Sequence, residues 1–202
     1  MDSSALLETA RHLARVGRYT DAIAEYDKIL VADPQNTTAL EQKGEVYYML
    51  GRHKDALACY DLALEKNPHL TTAWFEKGYT LRKSGQFSEA IACFERVLAL
   101  DPENLLAMAN KGYSLNALGR YEDALACFER TLKGGTINIR ALVSKGIALV
   151  NLGRNAEALA AFDEAVSLNP INSFAWKNRA DVLDRMGRTA EAKESRSRVM
   201  GA

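Results

Sequence analysis

Gly17, Gly51, Gly85, Gly119, Gly153 and Gly187 stand 34 residues apart, and Gly44, Gly78, Gly112 and Gly146 keep the same step. These two series take ten of the thirteen glycines, so glycine here is placed rather than scattered. All four prolines (Pro34, Pro68, Pro102, Pro170) share one phase of that period, and all three cysteines (Cys59, Cys93, Cys127) share another. A fixed period of this length is the mark of a stack of supersecondary units, each burying its apolar face against the next. With phase 1 at Ser3, five full repeats cover 3–36, 37–70, 71–104, 105–138 and 139–172, and a shorter sixth covers 173–202. The expectation is a single repeat domain over 1–202.

Within each repeat, apolar residues recur at steps of three and four on both sides of the first glycine series, which predicts two amphipathic helices. In the third repeat the first helix carries Ala73, Trp74, Gly78 and Leu81, and the second carries Phe87, Ala90, Ile91, Phe94, Val97 and Leu98. Gly85 and its phase-mates fall just past the first helix, where a residue of positive φ closes the end at least steric cost. Asp21, Asp55, Glu89, Asp123, Glu157 and Glu191 then sit in the first turn of the second helix, complementing its dipole. Asp-Pro or Asn-Pro pairs end it, and Asn36, Asn104, Asn138 and Asn172 are expected to cap the next helix. The glycines inside the first helix cost roughly 0.5–1 kcal/mol each relative to alanine, so a side chain there must obstruct packing. The small residue opposite is expected to be Ala22, Ala56, Ala90, Ala124, Ala158 or Ala192 of the second helix.

Composition narrows the function classes. Lysine and arginine number 26 against 26 aspartates and glutamates, so the chain lacks the positive field a nucleic-acid binder needs. The first three repeats each hold four basic and five acidic residues, and only the sixth is clearly positive, with seven against four. No run of eighteen apolar residues offers a membrane span, and the start Met-Asp-Ser-Ser-Ala-Leu-Leu-Glu lacks the features of a signal peptide. With an odd number of cysteines, this points to a cytoplasmic, reducing location.

Trp74, Gly78, Leu81, Gly85, Phe87, Ala90, Phe94 and Pro102 resemble, in order and spacing, the tetratricopeptide repeat pattern, and the likeness runs from Ser3 to Ala202. The resemblance implies an all-α, right-handed superhelical solenoid of about twelve helices, paired antiparallel, with the first helix of each pair lining a concave face. Departures are informative. Ala10 and Ala180 replace the mid-helix glycine, and Lys43, Lys77, Lys111, Lys145 and Arg179 stand where the family commonly has leucine. Such stems can cover apolar surface while the charge reaches water. The last helix has Lys193 and Arg196 in place of an aliphatic and an aromatic residue, the polar outer face expected of a C-terminal cap. Lys133-Gly134-Gly135-Thr136 replaces the Asp-Pro ending and reads as a glycine C-cap or a hinge.

No catalytic constellation stands beside this scaffold. His12, His53 and His69 have no second ligand at helical spacing, and the cysteines form a ladder about one repeat apart, too far for a shared metal or a disulfide. Neither an enzyme nor a cofactor is expected. The resemblance assigns the concave face to phases 2, 5, 9, 12 and 13 of each first helix, one helical face. It yields a candidate peptide-binding groove of Tyr48, Phe75, Tyr79, Arg82, Tyr113, Asn116, Val143, Ile147 and Asn151, mainly in repeats 2 to 5, aromatic and aliphatic at the centre and charged at the ends. Asn116 and Asn151 are expected to bond ligand backbone amides. The expected function is a protein-interaction scaffold holding an extended peptide or amphipathic helix, and the alternative is a homo-oligomer that buries the same strip. Family members that clamp chaperone C-terminal carboxylates use Lys and Asn; the corresponding places here hold Leu7, Arg11, Glu41 and Glu45, which disfavours that ligand.

Overall fold

The computed structural model describes residues 3–134 and 138–200, apart from the side chain of Met200. Twelve helices stand among the described residues: α1 (Ser3–Arg15), α2 (Tyr19–Ala32), α3 (Thr37–Met49), α4 (His53–Lys66), α5 (Thr71–Lys83), α6 (Phe87–Leu100), α7 (Leu105–Ala117), α8 (Tyr121–Lys133), α9 (Ile139–Asn151), α10 (Asn155–Leu168), α11 (Ser173–Arg185) and α12 (Thr189–Met200). They form six antiparallel hairpins, one per repeat. The chain divides into two compact units, Met1–Asn104 and Leu105–Ala202, of three repeats each. Within each unit a first helix packs on both helices of the preceding hairpin, as α3 does on α1 and α2, and α9 on α7 and α8.

The hairpin turn is a repeated hydrogen-bond device. Gly17, Gly51, Gly85, Gly119, Gly153 and Gly187 all adopt φ between 71° and 80°. The residue after each donates its amide to the carbonyl five residues back, as Arg18 does to Leu13 and Arg154 to Leu149, both at 2.9 Å, closing the helix with a Schellman motif. Asn36, Asn138 and Asn172 accept from the amides of Ala39, Ala141 and Ala175, capping α3, α9 and α11 as expected. The acidic residues of the second helices have a partner the sequence did not advertise. In five repeats an arginine precedes the helix and pairs with them, Arg154 with Glu157 and Arg188 with Glu191 among them.

The mid-helix glycines call for a correction. A Cβ on Gly44 would meet the Tyr60 ring at 2.6 Å, on Gly78 it would meet Cys93 Cβ at 2.9 Å and Phe94 at 3.0 Å, and on Gly146 the Phe162 ring at 2.5 Å. The obstructing partner is therefore the large aromatic of the second helix, not the alanine series. Ala22, Ala56, Ala90, Ala124, Ala158 and Ala192 are fully buried on their own account. The sixth repeat has Ala180 and Arg196 at these two phases, whereas the first pairs Ala10 with the buried aromatic Tyr26. The cysteines follow from the same packing: all three are buried and outside any disulfide, and burial pushes the thiols of Cys59 and Cys93 up to about 11, which keeps them protonated and inert.

The basic ladder is structural where its partners are visible. Lys43 pairs with Asp27, Lys77 with Asp61 and Arg179 with Asp163, each at 2.5 Å, and Lys145 reaches Glu129 at 3.8 Å. Every pair joins a first helix to the second helix of the preceding repeat, sixteen residues back. Burial alone would lower the Lys43 ammonium, but the hydrogen bond and charge of Asp27 outweigh it and raise it. Trp74 and Trp176 donate their indole N–H to Pro68 and Pro170 at 2.9 and 2.8 Å, pinning the inter-repeat turns. On the last helix, Arg196 is held by Asp181 and Asp184 of α11. At the variant joint, Gly134 has φ −70°, so it is no left-handed cap; the Leu105 side chain occupies the space a Cβ would need. Gly135 and Thr136, the rest of the expected cap or hinge, lie outside the described residues.

Candidate functional site

In the first unit, Tyr48 on α3 and Phe75, Tyr79 and Arg82 on α5 are all half-buried and lie on one face. The Tyr48 and Tyr79 rings meet edge to face at 5.7 Å across the two helices, and Phe75 stacks on Tyr79 at 6.3 Å while its other side rests against Phe94. The Arg82 guanidinium lies 5.0 Å from the Tyr79 ring centre and the Lys83 ammonium 5.6 Å, cation–π distances. Burial pushes the Tyr48 phenol up, and the neighbouring Tyr79 adds to it. The result is an aromatic ridge with its edges in water and a basic end.

The acidic content of this face was legible as residues but not as a group. Glu41, Glu45 and Glu76 share it, and Thr72 donates its hydroxyl to Glu41, tying α5 to α3. Burial, then the charges of Glu45 and Glu41, raise the Glu76 carboxyl above its ordinary value. A raised carboxyl favours the protonated form on folding, so the fold loses stability as the pH rises from the ordinary carboxylate value through the raised folded-state one, and the loss is complete above it. Glu76→Gln is therefore expected to melt roughly 1–3 °C above wild type at neutral pH. The gap should close as the pH falls below the ordinary carboxylate value, and parallel melting curves across pH 4–8 check it. A variant that melts lower than wild type at pH 7 contradicts the sign. Beside this group, Arg11, Arg15, Tyr26, Gln42, Glu45 and Met49 line a cavity of about 280 Å³.

The second unit places its residues differently. Tyr113 is half-buried with the Arg140 guanidinium 4.3 Å over its ring and Phe128 at 5.4 Å. Val143 corrects the expectation of an open strip: it is 3 % exposed and packs in a core with Leu142, Leu149 and Phe162, against which Ile147 is also half-buried. Asn116 spends its amide N–H on the Ser144 carbonyl at 2.9 Å, holding α7 to α9, and its Oδ1 is buried without a partner. Asn151 is exposed, yet its N–H turns back onto the Ile147 carbonyl of its own helix. Leu106 and Phe174, at phase 2 of their helices, are 66 % and 57 % exposed. Phe174 is absent from the groove expected from the sequence, although its phase could have shown it.

Among the described residues no group of three or more His, Cys, Asp or Glu is placed to hold a metal ion, and no helix is long and apolar enough to cross a membrane. A family model described as tetratricopeptide repeat matches residues 7–70, 75–136 and 143–194. No curated protein matches the chain. Among solved structures, a tetratricopeptide repeat protein from Parabacteroides merdae ATCC 43184 is 21% identical, with a TM-score of 0.86, over 98% of this chain and 78% of that one. The MamA protein is 24% identical, with a TM-score of 0.77, over 82% and 90%. YrrB, described as a TPR protein with an unusual peptide-binding site, is 22% identical, with a TM-score of 0.74, over 87% and 90%. At these identities the likeness shows the fold alone.

Proposed function

The chain belongs to the tetratricopeptide repeat family, and on that premise we propose that it is a non-catalytic protein-interaction scaffold whose first-helix faces, those of repeats 2 and 3 in the first unit and of repeats 4 and 5 in the second, each taken by itself, hold a peptide or an amphipathic helix of a partner protein. The observation that carries this reading is the ridge of Tyr48 and Tyr79, whose edge-to-face rings span α3 and α5 while staying half-open to solvent. Ion pairs such as Lys77 with Asp61 also join these repeats, and the ridge keeps part of its surface open to solvent. Aromatic rings flanked by an arginine are the usual anchors of a binding surface. The peptide site attributed to YrrB gives the same fold a precedent for such a role. In the second unit the open contributions are Tyr113, Arg140, Leu106 and Phe174, while Asn116 and Asn151 each spend one amide N–H on a backbone carbonyl, and the Oδ1 of Asn116 is buried.

The test is a pull-down from lysate with wild type and with a folded Tyr79→Ala/Tyr113→Ala variant. A partner retained by wild type and lost by the variant is the expected result. Equal retention by both baits removes the face from consideration. Homo-oligomerisation through the same face predicts instead a mass that rises with concentration in light scattering and falls to the monomer in Tyr113→Glu.

A further inference from the structure

Three of the cations that tie one repeat to the next also lie over an aromatic ring of their own helix. The Lys43 ammonium stands 5.6 Å from the Tyr47 ring centre, that of Lys77 5.4 Å from Trp74, and the Arg179 guanidinium 5.6 Å from Trp176. Trp74 and Trp176 come from phase 4 of their repeats and Tyr47 from phase 11, and all three rings are half-buried.

The fifth repeat lacks that ring. Both phases are aliphatic there, Leu142 and Leu149, and Ala161 stands where the three preceding repeats carry Cys59, Cys93 and Cys127. Between α8, α9 and α10 lies a cavity of about 550 Å³, lined by the buried Leu142, Leu149 and Ala161, by Leu132, and by the more open Lys145 and Glu164. These are the phases that surround Trp74 in the third repeat. Lys145 corresponds to Lys77, and Glu164 to Arg96, whose guanidinium lies 5.6 Å from the Trp74 ring centre. The fourth repeat has no ring at these phases either, but it has Met108 at phase 4, buried and long enough to fill irregular space. Lys145 is also the most loosely paired of these cations, 3.8 Å from Glu129 where Lys43, Lys77 and Arg179 hold their partners at 2.5 Å.

We propose that this cavity receives a tryptophan side chain of a partner protein, in the place that the third and sixth repeats fill with Trp74 and Trp176. The same chain thus shows which occupant the phases accept: an indole beneath the cation of phase 7. Lys145 supplies that cation. Glu164, an acid where the third repeat has Arg96, offers an acceptor to the indole N–H. An aliphatic side chain would forfeit both interactions. A second copy of the chain is not the source, because the chain has two tryptophans and both are already seated, their N–H groups bonded to Pro68 and Pro170. The rings of Trp74 and Trp176 stay half-open to solvent, so a free indole would bury too little to bind well, whereas an indole carried on a longer contact is an effective anchor. None of the lining residues belongs to the first-helix stripe proposed above, so this is a second surface and its fate is independent of that reading.

Random dodecapeptides displayed on phage, depleted on Ala160→Leu and then selected on the wild-type chain, test this. Ala160 lines the cavity and is exposed, so a leucine there obstructs the space and leaves the fold intact. The survivors should carry tryptophan at one fixed position. The best of them, synthesised, should bind about tenfold tighter than its leucine counterpart, and Lys145→Gln should weaken it about threefold. N-acetyl-tryptophanamide should bind at least tenfold more weakly than the peptide. Leu142→Trp, which restores the ring from within, should melt at or above the wild-type midpoint and bind the peptide at least tenfold more weakly. Survivors without tryptophan, no survivors, or a leucine counterpart of equal affinity overturns the proposal. So does Leu142→Trp if it melts below wild type, since the cavity then does not accept an indole. Equal affinity for N-acetyl-tryptophanamide assigns the cavity to a free indole compound, and a concentration-dependent mass abolished by Ala160→Leu assigns it to a second copy of the chain; either overturns the partner tryptophan. None of these outcomes bears on the first-helix face, which Tyr79→Ala/Tyr113→Ala tests separately.

Discussion

Gly146→Val is expected to lower the unfolding free energy by about 3 kcal/mol, within the range of an overpacked core, and the melting midpoint by roughly 6–12 °C. The methyls would start from a Cβ placed 2.5 Å from Phe162 Cε1 and 2.6 Å from Cζ, and Phe162 is itself fully buried with nowhere to turn. The effect depends on that ring, so it should be strongly non-additive with Phe162→Ala. In the double variant the cost of the valine should fall below about 1 kcal/mol, because the cavity left by the ring admits it. Gly153 is the control. It has φ +75° and nothing within 4 Å of the place a Cβ would take, so Gly153→Ala costs about 1 kcal/mol through backbone strain alone and no second substitution relieves it. Urea unfolding of the four variants measures the cycle. Equal costs of Gly146→Val with and without Phe162 would mean that the close approach of helix and ring is not what selects glycine.

That contrast also shows which parts of the structure the sequence could announce. The turn glycines were legible because positive φ is a property of one residue and its neighbours, and the 34-residue period repeats the signal six times. The mid-helix glycines announced a close approach but not its partner. Period and helical phase say which face a residue occupies, not which residue of the antiparallel helix lies across from it. The same gap explains the lysine ladder, since Asp27 and Asp61 are sixteen residues from Lys43 and Lys77 and belong to another repeat. It explains the divided fate of the candidate groove as well. Val143 and Tyr79 both lie on the stripe assigned to the face, yet Val143 is closed over by its own unit's core while Tyr79 keeps its edge in water. How far a neighbouring hairpin covers a stripe depends on the crossing of helices, which composition and spacing do not encode. The acidic group of Glu41, Glu45 and Glu76 was hidden for a related reason: Glu76 lies outside the assigned phases and joins the others only when α5 is laid beside α3.

Tyr79→Ala and Val143→Ala should therefore behave as opposites. Tyr79 contacts Phe75 and Tyr48 at the rim, so its loss should cost no more than about 1 kcal/mol of stability. If the ridge anchors a peptide, the same change should weaken binding by about 2 kcal/mol, roughly thirtyfold. Val143 is buried in the core, so truncation should remove about 2 kcal/mol of stability and lower the midpoint by roughly 4–8 °C. Its effect on affinity, measured well below the melting transition, should stay within about twofold. Calorimetric titration with a peptide selected by wild type, beside melting curves of both variants, gives the two columns at once. If Tyr79→Ala melts as low as Val143→Ala while binding is unchanged, the ring is a packing residue like the valine, and the case for an open aromatic anchor on α5 fails with it.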